Sequence, residues 1–180
     1  MIKLPCGVNI ENLINDLRNY SWEASEIFLH YSQIVKDSKD KSNILKNDNN
    51  EDPVTLVDLK VNELMIQRIN AKYKDINWEI LSEENVKISS QKSVKNTDWI
   101  WVLDPLDGTK DFIQGTKNYA MHLALNYKNK PYLGIVLIPE MNELWISNGE
   151  KVWCEKKDGF RINAKSLKNK GFSAVSYTHL

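Results

Sequence analysis

Between Ile10 and about Val35 the apolar residues Ile10, Leu13, Ile14, Leu17, Ala24, Ile27, Phe28, Tyr31 and Ile34 recur at three- and four-residue steps. That is the period of a helix with one apolar face, so the segment is expected to cover a core. A second run of the same period, Val57, Val61, Leu64, Met65 and Ile69, follows Thr55 and, three residues later, Asp58. The pair has the form of a capping box that opens a helix. From Tyr119 the period falls to two: Tyr119, Met121, Leu123, Leu125 and Tyr127 alternate with Ala120, His122, Ala124 and Asn126, as in a strand with unlike faces. A turn at Lys128 to Pro131 leads to Leu133 to Ile138 and then Glu143 to Ser147. Asn148-Gly149 turns into Val152 to Cys154, and Asp158-Gly159 into Phe160 to Ile162, which completes an antiparallel meander. The chain therefore reads as α+β, with N-terminal helices packed on a largely antiparallel sheet.

Two apolar runs, Trp78 to Leu81 and Trp99 to Leu103, are too short for helices and read as buried strands. Each runs out into acids, the first at Ser82-Glu83-Glu84 and the second at Asp104. If the two strands lie side by side, Glu83 and Asp104 reach one rim. A pair of glutamates such as Glu83 and Glu84 is otherwise an ordinary solvated edge. The stretches Lys36 to Glu51 and Asn85 to Asp98 are polar and aperiodic and read as loops.

Length and charge narrow the function. The 180 residues can bury a core in one domain, or in one domain and a fragment of the next. With 24 basic and 24 acidic side chains and a net charge of +0, the chain lacks the basic excess of a nucleic-acid platform. No apolar stretch reaches membrane-spanning length and the first residues lack a signal-peptide pattern, so the expected address is the cytoplasm. Cys6 and Cys154 lie far apart with no Cys or His at metal-ligand spacing. They fit a reduced compartment and receive no role. His122 falls mid-strand with no acid or cysteine near it in sequence and is expected to be structural, and the six tryptophans read as packing.

Chemistry concentrates in Trp99 to Gly115, WIWVLDPLDGTKDFIQG. Pro105 fixes φ, Gly108 allows a backbone closed to other residues, and Asp104, Asp107 and Asp111 crowd into eight residues with one lysine between them. The strand is expected to stop at Asp104-Pro105 and to deliver these acids on a turn. Carboxylates held this close repel one another unless a cation joins them, and oxygen ligands of this kind are what Mg²⁺ takes. Asp107-Gly108 alone would equally suit a tight turn with exposed acids.

The nine residues DPLDGTKDF resemble the signature of the inositol monophosphatase superfamily, the Mg²⁺-dependent and often lithium-sensitive phosphomonoesterases. The lysine after the threonine and the acid before the phenylalanine make it most similar to the 3'(2'),5'-bisphosphate nucleotidases. Haloacid-dehalogenase phosphatases also carry Asp-Gly-Thr, but their two acids are spaced i and i+2, which would need an aspartate at Pro105. Here the spacing is i and i+3.

The resemblance implies a sugar-phosphatase fold whose second α/β segment is largely missing from this chain. The α+β metal-phosphatase domain would occupy residues 1–165, and residues 166–180 would begin the C-terminal segment or form an artefactual tail, so His179 is set aside. It implies two or three Mg²⁺ ions held by Glu83, Asp104, the Leu106 carbonyl and Asp107. It further implies catalysis by Asp58 and Thr109, which would orient and deprotonate the attacking water. Glu83, Leu106, Asp107, Gly108 and Thr109 would meet the substrate, with the Gly108 and Thr109 amides opening a short helix at Lys110 to Ile113 that cradles phosphate. Asp58 can act there and cap its helix at once. Glu84 matches a neighbour of the metal-ligand glutamate, Lys46 is a candidate by position alone, and Lys110 either meets a second phosphate or is simply solvated. The family's last metal-ligand aspartate has no counterpart, since nothing after Asp158 is acidic.

The substrate so implied is a small phosphorylated molecule, first 3'-phosphoadenosine 5'-phosphate of sulfur metabolism, hydrolysed to AMP and phosphate. Inositol 1-phosphate and histidinol phosphate are the alternatives within the superfamily, and a non-catalytic metal- and nucleotide-binding fragment is the alternative outside it. Members are often homodimers, though no interface is legible in this sequence.

Overall fold

The computed structural model describes residues 3–37, 55–84 and 97–163. Lys46, most of the two polar loops and the expected C-terminal segment at 166–180 lie outside the described residues.

Two helices come first, α1 at Ile10–Asp37 and α2 at Leu56–Lys72. Both start where side-chain oxygens replace missing intrahelical acceptors. Asn9 Oδ1 accepts from the amides of Glu11 and Asn12 at 2.9 and 3.0 Å. At α2 the expected capping box forms in both directions: the Asp58 amide donates to Thr55 Oγ1, and the Thr55 amide donates to Asp58 Oδ2.

Seven strands follow, β1 (Glu79–Ser82), β2 (Trp99–Asp107), β3 (Ala120–Tyr127), β4 (Lys130–Ile138), β5 (Glu143–Ser147), β6 (Val152–Lys156) and β7 (Arg161–Asn163), with the short helix α3 (Thr109–Gln114) between β2 and β3. They form one sheet in chain order. β1 and β2 are parallel, and every later neighbour is antiparallel. The helices cover one face. Leu13, Leu17, Ala24 and Phe28 of α1 and Val57, Val61, Met65 and Ile69 of α2 share a core with Trp101, Leu103, Met121, Leu123, Leu125, Ile135, Leu137, Leu144 and Ile146. Residues of the alternate register turn to the opposite face, where Val102 is 42% exposed and Val152 is 45% exposed. No helix among the described residues is long and apolar enough to cross a membrane.

One expectation needs correction. β2 does not end at Asp104-Pro105 but runs on to Asp107. Its pairing moves from Asp104↔His122 to Asp107↔Ala120, three steps on β2 against two on β3. The extra residue is a bulge, and a bulge is where a strand tolerates a proline that has no N–H to give the ladder.

The C-terminal part of α1 is tied to the sheet through Glu140. Its Oε1 accepts from Ser32 Oγ at 2.6 Å, Lys36 Nζ at 3.1 Å and Tyr119 OH at 3.0 Å. Tyr119 in turn packs edge-on against Phe112 of α3, ring centroids 4.9 Å apart. Burial pushes the Glu140 carboxyl up, but the donors from Ser32, Lys36 and Tyr119 outweigh it and hold the group below the usual glutamate range. A carboxyl with a depressed folded value contributes stability that is fully present above the unfolded value, about 4.3, and is lost as pH falls through the folded one. Glu140→Gln should therefore unfold at lower urea than wild type at pH 7, by about 1–3 kcal/mol for a charge-assisted cluster. The difference should shrink below about pH 4; a gap that is constant down to pH 3 would show that the charge is not the stabilising feature.

Candidate functional site

The rim is made by strand pairing. Parallel pairing sets Leu81 beside Val102 and Ser82 beside Leu103, so the next residues, Glu83 and Asp104, emerge together as the side-by-side arrangement requires. Ser82 Oγ donates to Asn62 Oδ1 on α2, which fastens the end of β1 to the helix whose first turn carries Asp58.

The bulge supplies the second acid. Side chains three positions apart on a regular strand point to opposite faces; the extra residue resets the alternation. Asp104 and Asp107 thus share the face of their partners His122 and Ala120. The turn is held locally: the Leu106 amide donates to Asp104 Oδ1 at 3.2 Å, and Thr109 Oγ1 donates to the Leu106 carbonyl at 3.1 Å. Gly108 has φ +85°, and a Cβ there would lie 2.6 Å from the Asn118 carbonyl oxygen, so only glycine fits. α3 opens directly on this residue, with no side-chain cap at its start.

The charges are felt across the site. Burial first, then Glu83 and Asp107, push the Asp104 carboxyl up to about 7, with a smaller contribution from Asp58. Asp58 is buried and is pushed up to about 6 by that burial; the two hydrogen bonds from Thr55 oppose the rise, and Glu84 and Glu83 add to it. Thr55 Oγ1 and its amide both meet Asp58 Oδ2, at 2.6 and 2.8 Å. Glu83 and Asp107 are exposed at the mouth, while Glu84 is buried behind it.

Two residues fall differently from the sequence reading. Asp111, counted there among three crowded acids, accepts from Thr116 Oγ1 at 2.6 Å and ties down the end of α3. His122, remote from any acid in sequence, stands opposite Asp104, with Nε2 3.8 Å from Asp107 Oδ2. Lys110 is exposed on α3.

The donor set is all oxygen, three carboxylates and the Leu106 carbonyl beside them, which suits a hard cation such as Mg²⁺ over softer metals. The upward push on Asp104 by Glu83 and Asp107 is the crowding that a cation relieves. Among the described residues no three His, Cys, Asp or Glu side chains have closed to coordination distance of one point. The residues fit the ion in kind, as oxygen donors whose charges act on one another.

The family model for the inositol monophosphatase family matches residues 9–179. The chain belongs to the inositol monophosphatase family. Among curated proteins it is 39% identical over 95 residues to the 3'(2'),5'-bisphosphate nucleotidase CysQ of Haemophilus influenzae, covering 53% of this chain and 34% of that protein. It is 36% identical over 115 residues to the chloroplastic bifunctional phosphatase IMPL2 of Arabidopsis thaliana, covering 63% and 31%. To the CysQ of Shigella flexneri it is 31% identical over 124 residues, covering 69% and 48%. The chain thus spans half or less of the length of these relatives. In fold it matches the extragenic suppressor protein suhB of Bartonella henselae with a TM-score of 0.65 at 19% identity, over 79% of this chain and 52% of that one. An IMPase from Thermotoga maritima matches with a TM-score of 0.56 at 24% identity, over 77% and 51%. These two solved structures place the helices-on-sheet architecture described above within the family fold.

Proposed function

We propose that this family member carries the metal and water-activating half of a Mg²⁺-dependent phosphomonoesterase whose preferred substrate is 3'-phosphoadenosine 5'-phosphate. The observation that supports it most is the bulge in β2, which turns Asp107 to the same rim as Asp104 and Glu83 beside the turn that ends in Thr109. Glu83, Asp104, the Leu106 carbonyl and Asp107 would hold two or three ions. What Mg²⁺ supplies when bound is neutralisation of phosphoryl charge and acidification of water.

The chain's own groups do the rest. Thr109 donates its hydroxyl hydrogen bond to the Leu106 carbonyl, so the lone pairs on Oγ1 remain as acceptors for a water proton. Thr109 therefore orients the nucleophile, and Asp58 takes its second proton as attack proceeds. The Gly108 and Thr109 amides, at the uncapped start of α3, would meet phosphate oxygens alongside Glu83, Leu106 and Asp107 at the substrate's edge. No covalent enzyme intermediate is required. The nucleotide preference is supported by the similarity to proteins named bisphosphate nucleotidase and by the exposed Lys110 on α3, a cation free to meet a second phosphate.

The test is phosphate release by the chain with Mg²⁺ and with EDTA, offering 3'-phosphoadenosine 5'-phosphate, inositol 1-phosphate and histidinol phosphate in parallel. Preference for the nucleotide is expected. Preference for either other ester would keep the metal site and remove Lys110 from specificity. Mg²⁺ binding without release from any ester would make the chain a non-catalytic metal- and nucleotide-binding protein.

A further inference from the structure

His122 sits where the acid rim meets the open face of the sheet. Its cross-strand partner on β2 is Asp104, its partner on β4 is Val136, and its same-face neighbours along β3 are Ala120 and Ala124. The imidazole therefore has acids on one side and small or apolar groups on the others. The 3.8 Å between Nε2 and Asp107 Oδ2 is one small side-chain rotation from the ordinary hydrogen-bond length of about 3 Å.

We propose that His122 is a positioning residue for Asp107: its Nε2–H holds Oδ2, so that the other carboxylate oxygen is presented to the cation. The inference rests on the reading of Asp107 as a metal ligand given above. Asp107 ends a strand at a bulge and its side chain is 59% exposed, so by itself the carboxylate samples several rotamers and must be ordered when an ion binds. A donor on the neighbouring strand supplies the partner that narrows this sampling. Outer partners of this kind set the orientation of ligating carboxylates, and their loss costs about 10–100-fold in metal affinity. Stability is not a competing explanation, because His122 is itself 46% exposed, and exposed pairs contribute almost nothing to folding.

The experiment is a Mn²⁺ titration of the wild-type chain, His122→Gln and His122→Leu, read by the electron paramagnetic resonance signal of free Mn²⁺, with thermal midpoints measured in parallel. Glutamine keeps an N–H donor at the reach of Nε2; leucine keeps bulk and removes the donor. Expected are about tenfold weaker binding by His122→Leu, near wild-type binding by His122→Gln, and three equal midpoints. Leucine binding as tightly as histidine, or glutamine as weakly as leucine, would overturn the role of His122 and leave the metal site standing. Absence of Mn²⁺ binding by wild type would overturn both together, a distinct outcome.

Discussion

Replacing Asp104 with asparagine is expected to abolish Mg²⁺-dependent phosphate release and to leave the fold intact. Asparagine keeps Oδ1, so the hydrogen bond from the Leu106 amide that shapes the turn survives. It also removes a charge that the structure holds at a cost: Asp104 is half-buried and lies within reach of Glu83, Asp107 and Asp58. The metal-free variant should thus melt at or slightly above the wild-type midpoint. Ion binding suffers in the opposite sense, because the acid that both Glu83 and Asp107 face is the one lost. Since an outer partner of a ligand already accounts for about 10–100-fold in affinity, loss of a ligand itself should exceed about 100-fold. A ligand that binds only the folded state raises its melting temperature, so saturating Mg²⁺ should raise the midpoint of wild type and not that of Asp104→Asn. A variant that still responds to Mg²⁺ and still releases phosphate would remove Asp104 from the mechanism.

What the sequence disclosed, and what it concealed, follows the range of each interaction. The capping box of Thr55 and Asp58 spans three residues and was readable as a pattern. So was the shared rim of Glu83 and Asp104, because two apolar runs each ended in acids and needed only to lie parallel. The position of Asp107 was readable as part of a motif, but its reason was not. A proline inside a run argues for a strand's end, and only the ladder shows that β2 carries Pro105 through a bulge. Asp111 looked equivalent to its neighbours until Thr116, beyond the end of α3, claimed it. Long-range partners left no mark at all: the β2–β3 pairing brings His122 to Asp107, Glu140 meets Ser32 across 108 positions, and Arg18 forks onto Glu155 across 137. Local chemistry named the acids, and tertiary pairing decided which of them face one another.

Gly108→Ala should be the most damaging single-carbon change in the turn. The residue has φ +85°, where alanine is strained, and the added Cβ would meet the Asn118 carbonyl oxygen at 2.6 Å and the Tyr119 Cα at 3.2 Å. Both obstacles are backbone, so neither can rotate away. Strain at such a conformation costs about 1–3 kcal/mol, and forcing an extra carbon against packed backbone costs about 1–3 kcal/mol more. Part of this is avoided if the turn yields, but yielding moves the start of α3 and with it Thr109, whose hydroxyl reaches the Leu106 carbonyl at 3.1 Å. Tyr119 would also shift against Phe112, loosening the contact that seats α3 on the core. The variant is thus expected to lose about 3 kcal/mol in urea unfolding and, where still folded, to lose both turnover and Mn²⁺ affinity, because Thr109 follows the turn and the Leu106 carbonyl and Asp107 directly precede it. Wild-type stability together with wild-type turnover in Gly108→Ala would mean that the turn in solution has a different backbone from the one described.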